Sequence, residues 1–195
     1  MTAYIFDDIL TKGVRTGQIP SRTQAARSWF RKEAQNTSVA PSRLMKESKT
    51  KMVSNVEIGE MYLFNYDPKH KRDLPYYDTF PLIFPIGEAE GGFLGINMHY
   101  LPLRMRAQLM DALYSLRSDG RYDENTKLRL SYQTLKAASR FRNFKPTIKH
   151  YLRRQVKSRF LKIDSVEWDI ALFLPLQRFQ KASADKVWRD SRAKI

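Results

Sequence analysis

The sequence predicts an α+β fold, a small antiparallel SH3-like β-barrel with a basic helical insertion and an N-terminal helical arm. Three observations predict it. Short apolar runs of strand character fall at 57–68, 80–87 and 92–100, with two more at 159–164 and 168–174. The stretch between these two groups has helical spacing instead. At 195 residues and 42% hydrophobic content, the chain holds enough apolar material for one domain of ordinary size. Five short strands suit a barrel, because closure removes exposed edges; helices on one face of an antiparallel sheet are the alternative.

In chain order, residues 1–56 are expected to form a basic N-terminal arm with one helix. AARSWFRKEAQNT places Ala26, Trp29, Phe30 and Ala34 on one face, with Arg27, Arg31 and Lys32 beside it and Thr23 or Ser21 as N-cap. TSVAPSRLMKESKTKMVSN is polar, basic and weakly periodic, which predicts an extended connector. A barrel domain over 57–176 follows, interrupted by a helical insertion at about 101–158. Ile58, Met61 or Tyr62, Phe64 and Tyr66 alternate as its first strand. Pro81 and Pro85 mark an edge strand or a bulge, and Gly95 marks a bend or a close backbone approach. Three strands so near in sequence predict an antiparallel meander.

In the insertion, Pro102 opens a helix with Met105, Leu109, Ala112, Leu113 and Leu116 on one face. Helices are also expected at about 128–140 and 147–158, the second packing through Ile148, Tyr151, Leu152 and Val156. RFLKI and WDIALFLP then read as closing strands joined by a DSVE turn, with Trp168 and Phe173 as core or interface residues. Residues 177–195 form a docking tail, with Phe179, Val187 and Trp188 as apolar anchors for a neighbour or for the chain itself.

The net charge of +15 is unevenly spread. Residues 127–162 hold twelve Lys or Arg and no Asp or Glu, whereas 57–100 sum to −4. A one-signed run of this length implies a negatively charged partner, nucleic acid first and acidic protein second. Several classes are excluded. Without cysteine there are no disulfides, thiolate nucleophiles or Cys-based zinc sites. No run of about 18 apolar residues is present, and MTAYIFDDIL lacks the features of a secretory signal. Nucleophile elbows, Walker loops, H-E-x-x-H, G-x-G-x-x-G, RRM and KH signatures are all missing. Glu57, Glu60, Asp67, Asp73, Asp78, Asp164, Glu167 and Asp169 lack the spacing of common metal-dependent nucleases. The expectation is a protein that is not an enzyme, with no cofactor, metal, small-molecule substrate or membrane partner.

Three stretches carry a resemblance. MYLFNYDPKHKRDLPYYDTFPLIFPIG contains Y-D-P-K and L-P-Y-Y-D-x-F-P-L; GGFLGINMHYLPLRMRAQLMDALY contains G-F-x-G-x-N-x-H-Y-L-P; and EWDIALFLPLQRFQKASADKVWRDSR lies near the C-terminus. Together they resemble the DNA end protector proteins of T-even-like tailed bacteriophages. The resemblance implies a minor virion protein, made in the host cytoplasm, at the portal vertex and the end of the packaged genome. It would shield the double-stranded DNA terminus from host exonuclease and contact other virion proteins of the portal, neck or tail.

On that reading Arg140, Arg142, Lys145, Lys149, Arg153, Arg154 and Lys157 contact phosphates without sequence preference. Phe141, Phe144 and Tyr151 either stack on unpaired bases or pack the insertion, packing being preferred for Tyr151. Asn97 and His99 are expected to be buried polar braces, while phosphate contact or plain solvation suits His70 and His150. The alternative is a structural neck, connector or tail-assembly protein of a tailed phage, whose basic face meets acidic protein and not DNA.

Overall fold

A six-stranded antiparallel sheet divides the interior into two cores of different chemistry. The computed structural model describes residues 4–18, 23–117, 119–140 and 142–193. The sheet strands are β1 (Met52–Val53), β2 (Met61–Leu63), β4 (Leu82–Ala89), β5 (Gly92–Asn97), β6 (Ile148–Leu152) and β7 (Phe160–Ile163), in the order β1-β7-β2-β4-β5-β6. A separate pair joins β3 (Tyr77–Asp78) to β8 (Phe179–Gln180). Seven α-helices are seen among the described residues: α1 (Ile5–Arg15), α2 (Gln24–Gln35), α3 (Pro41–Glu47), α4 (Leu103–Arg117), α5 (Glu124–Arg140), α6 (Trp168–Phe173) and α7 (Ala184–Ala193). The fold is mixed α+β. Its main sheet is open, with β1 and β6 at the edges, and is not a closed barrel.

Alternation along the strands explains the two cores, because successive side chains leave a strand on opposite faces. Met61, Leu63, Leu82, Phe84, Ile96, Leu161 and Ile163 face the helices, joining Phe6, Phe30, Leu44, Leu113 and Trp168. Tyr62, Phe64, Tyr66, Phe93, Tyr151 and Phe160 turn to the other face with Ile83. Their rings meet mostly edge to face, at centroid separations such as 5.0 Å for Phe64–Phe160 and 5.4 Å for Phe64–Tyr151. Each such ring pair adds about 0.5–1.5 kcal/mol beyond area burial. Beyond β6 the chain folds back on the extension of β2: Lys157 N–H donates to the Asn65 carbonyl at 2.9 Å, Asp67 N–H donates to the Gln155 carbonyl at 3.1 Å, and Tyr66 bridges Val156.

The expected meander of β2, β4 and β5 forms, all antiparallel. Gly91, at φ 66°, makes the two-residue turn between β4 and β5, and the bulge anticipated at the prolines lies between Pro85 and Gly87. The helix expected over 147–158 is instead β6 and a 3-10 turn, Arg153–Gln155. Tertiary pairing overrides helical spacing here, and β5 makes room for it. A Cβ on Gly92 would lie 1.9 Å from the Tyr151 carbonyl oxygen, so β6 approaches where only glycine fits. Gly95 shows the close approach expected of it, with Ile83 Cδ1 2.9 Å from where its Cβ would sit.

WDIALFLP, expected as a strand, is helix α6 over Trp168–Phe173. A continuous apolar run carries no usable period, since every residue of α6 is buried. The deciding signal lies just upstream. Asp164 and Glu167 form a reciprocal capping box over the DSVE segment, which starts the helical turn. Two more differences lie in the first 56 residues. The expected connector contains α3, opened by Pro41 at a first-turn position, and strand β1, while α1 is an additional helix. Thr23 caps α2 as expected, its Oγ1 accepting the Ala26 N–H at 3.1 Å; Ser21 lies outside the described residues. Phe6 and Ile9 of α1 and Phe30 and Ala34 of α2 enter the main core.

On α4 the buried stripe is Arg106, Leu109, Met110 and Leu113, so Ala112 is exposed and a cation occupies a core position. At the C-terminal end Val187 is fully buried, and Trp188 Nε1–H donates to the His99 carbonyl at 2.8 Å. The tail's anchors dock on this chain.

Candidate nucleic-acid interface

The basic segment runs from the end of α5 through a 3-10 turn, Arg142–Thr147, along edge strand β6 and the Arg153–Gln155 turn to β7. Pro146 keeps this run from continuing α5, and pairing with β5 from Ile96↔Ile148 to Gly92↔Leu152 fixes its register. Arg140, Arg142, Lys145, Arg153, Arg154 and Lys157 are exposed, and Lys149 is half-buried. Arg140, Arg142, Lys145, Arg154 and Lys157 make no ion pair among the described residues, whereas Arg153 Nη2 lies 3.4 Å from Glu88 Oε2.

Of the predicted aromatics, Tyr151 packs inside, stacked on Phe93 at 5.7 Å, and Phe144 lies against the main core. Phe141 is outside the described residues.

The structure brings Lys149 to a cleft of about 390 Å³ that also contains residues not anticipated as a site. Tyr66, Tyr76, Tyr77, Tyr100 and Tyr151 line it, with Lys69, His70, Lys149 and His150 among the cationic and imidazole groups. Lys149 Nζ sits 4.1 Å from the centre of the Tyr100 ring, a cation–π contact that holds the ammonium beside the aromatic wall. A second depression continues from the first, sharing Lys69, His70 and His150 and adding Arg153 and Arg154. Arg140, Arg142, Lys145 and Lys157 line neither. The missed signal was the Y-D-P-K and L-P-Y-Y-D pair of motifs. Lys69, His70, Tyr76 and Tyr77 lie far from β6 in sequence, and the β3–β8 pairing helps anchor their loop.

Beneath the cleft lies a fully buried polar network. Asp78 Oδ2 is 2.6 Å from His99 Nδ1, and Asp78 Oδ1 accepts N–H donors from Phe80 at 3.0 Å and Arg178 at 3.1 Å. Asn97 Nδ2 donates to the Tyr151 hydroxyl at 3.1 Å, while Asn97 Oδ1 accepts the His99 N–H at 3.0 Å. Burial lowers the His99 pKa below its ordinary 6.5, against the opposing pull of Asp78. His99 is therefore a neutral imidazole whose Nδ1–H donates to the Asp78 carboxylate; its Nε2 has no partner among the described residues. Asn97 and His99 are braces, as expected. Arg106 closes the network from below, donating to the carbonyls of Leu101 at 2.8 Å, Leu172 at 2.8 Å and His99 at 3.1 Å. Burial pulls its guanidinium down to about 9, with Asp78 acting the other way, so it stays charged at neutral pH.

Five of the carboxylates weighed for metal-dependent cutting are engaged in ion pairs. Asp67 meets Lys71, Glu57 meets Lys162, Asp164 and Glu167 meet Lys51, and Asp169 meets Arg31. Among the described residues no group of three or more His, Cys, Asp or Glu is placed to hold a metal ion. No helix there is long and apolar enough to cross a membrane.

No curated protein and no solved structure gives a significant match to this chain. A family model described as the Phage T4 terminal DNA protecting protein does match, over residues 21–191. The match runs from the start of α2 into α7, through the sheet, the aromatic cleft and the basic segment. The chain belongs to the family of the Phage T4 terminal DNA protecting protein.

Proposed function

We propose that this protein binds the end of packaged double-stranded DNA and shields it from host exonuclease by occupying the terminus, without chemistry of its own. Family membership is the observation that carries this reading. The exposed Arg142, Lys145, Arg154 and Lys157 of the segments flanking β6 support it, because cations at a polyanion's surface gain by releasing counterions. In this reading Arg140, Arg142, Lys145, Lys149, Arg153, Arg154 and Lys157 hold phosphates, and the protein rides in the virion beside portal, neck or tail subunits.

The five strands β2, β4, β5, β6 and β7 follow the neighbour order β7-β2-β4-β5-β6, with a 3-10 turn between the last two in sequence. That order, and the bridge from Val156 back to Tyr66, support an SH3-like reading of the sheet as an incompletely closed barrel. The division of labour we propose is a basic arm at 1–56, an insertion-bearing β domain at 57–176 and a docking tail at 177–195.

The test is exonuclease digestion of linear DNA with and without the purified protein, across a salt series, with a nicked circle as competitor. Protection that the circle cannot compete away is the expected result. Protection that only tracks bulk coating, or none at all, moves the assignment to a structural connector.

A further inference from the structure

We infer that the tyrosine-lined cleft between β6 and the 66–77 segment takes one unpaired nucleotide from the DNA end, with its phosphate held at the basic rim. This rests on the end-binding reading above and says how an end is told from the middle of a duplex.

Size comes first. A cleft of about 390 Å³ lies near the small end of the ~300–1,000 Å³ range of ligand sites, which suits a single nucleotide and excludes a duplex. Chemistry comes next. Tyr77 is half-buried at the cleft and its side chain makes no ring stacking or hydrogen bond among the described residues, so its open face can take a base. Tyrosine walls stack on any base, because every base has a π-face; this fits a protein that protects ends of any sequence.

Electrostatics then orients the ligand. Asp78 is fully buried in the cleft lining, and its carboxylate, already satisfied by His99 and two backbone N–H groups, opposes an anion going inward. Lys69, Lys149 and the adjoining Arg153 and Arg154 favour an anion at the rim. A neutral base inside and a phosphate outside satisfies both fields.

End selectivity follows from supply. A terminal nucleotide frays readily, whereas an internal one must first be unpaired and flipped out of the stack. The pocket therefore adds affinity only at a duplex terminus, where the last pair frays, and not at a nick, whose flanking pairs stay stacked on one another.

The experiment places 2-aminopurine at the terminal position of a linear duplex, or at an internal position, and titrates in the full-length protein. Fluorescence of the terminal probe should change on binding while the internal probe stays unchanged. Tyr77→Ala should lower the preference for linear over nicked-circular DNA about tenfold, the value of roughly one stacked base, and leave circle binding intact. Tyr77→Phe should restore the preference, which separates stacking from a folding defect; thermal melts of both variants complete the control. Equal responses from the two probe positions, or undiminished end preference in a folded Tyr77→Ala, overturn the inference while wild-type protection keeps the end-binding reading alive. A wild-type protein that binds neither linear nor circular DNA overturns both.

Discussion

Two sets of cations in this molecule are treated in opposite ways. Arg31 and Arg106 are buried and held by acceptors: Arg31 reaches Asp169 at 2.9 Å and Asp111 at 2.8 Å, and Arg106 donates to three carbonyls. Arg140, Arg142, Lys145, Arg154 and Lys157 are exposed and make no ion pair among the described residues. The first set brings distant segments together, since Arg31 on α2 meets α4 and α6. The second contributes little to the fold and adds self-repulsion. A charge that does not stabilise the native state is left free for a ligand.

The sharpest break between the two sets is expected from stability. Arg31→Met strands Asp169 in the core and should cost about 3–5 kcal/mol, read from the urea midpoint. The fivefold change of Arg140, Arg142, Lys145, Arg154 and Lys157 to Gln should leave that midpoint nearly unmoved, because surface substitutions away from packed features shift stability by about ±0.5 kcal/mol each. If the two variants melt alike, the distinction fails.

DNA binding should show the reverse order. The fivefold variant is expected to lower the slope of log affinity against log salt by about 4 to 5, at roughly 0.9 for each duplex phosphate that is no longer neutralised. An unchanged slope would show that these side chains do not touch DNA.

A third effect comes from acid. His99 titrates below its ordinary 6.5 in the folded protein, so the unfolded chain takes up the proton first as pH falls. The stability it contributes is complete above about pH 6.5 and is lost as pH drops towards the folded value. Melting temperature should therefore fall between about pH 7 and pH 5, and His99→Gln should flatten that part of the profile. A wild-type profile that is level across this window contradicts a neutral buried imidazole.

The smallest effect sharpens the comparison at one residue. Arg153 has Glu88 3.4 Å away, both exposed. Glu88→Gln should free it and raise DNA affinity by about twofold at low salt, the scale of a screened surface pair. Fluorescence anisotropy at about 50 mM salt resolves a change of that size.

How much of this was legible in the sequence varied with the kind of signal. The meander of β2, β4 and β5 announced itself through turn residues, and α2, α4 and α5 through apolar spacing. The sequence of 147–158 did not disclose β6. Ile148, Tyr151 and Leu152 satisfy helical spacing as well as a strand does, and the information that selects the strand sits on β5, in Gly92 and Gly95. Arg106 was hidden because a cation at a stripe position reads as a gap in the stripe, although its three carbonyl acceptors make it a core residue. The cationic half of the candidate interface was visible as a run of like charge. The aromatic half was not, because Tyr77 and Tyr100 become neighbours of Lys149 only through the fold.

The long excursion between β5 and β6 also has a kinetic side. Ala89 and Gly92 pair across a two-residue turn, whereas Ile96 and Ile148 pair only after residues 97–147 have returned to the sheet. Closing the longer loop costs about 3 kcal/mol more entropy than closing the short one. The β4–β5 hairpin is therefore expected early, within about 1–10 μs for a pairing of its kind, and β6 after it. Pulse-labelled hydrogen exchange should find amides of β4 and β5 protected before those of β6; simultaneous protection would argue against this order. Because β6 follows the hairpin, the cations acquire their fixed spacing only after long-range closure, so a half-folded chain has charge for DNA but no geometry with which to hold an end.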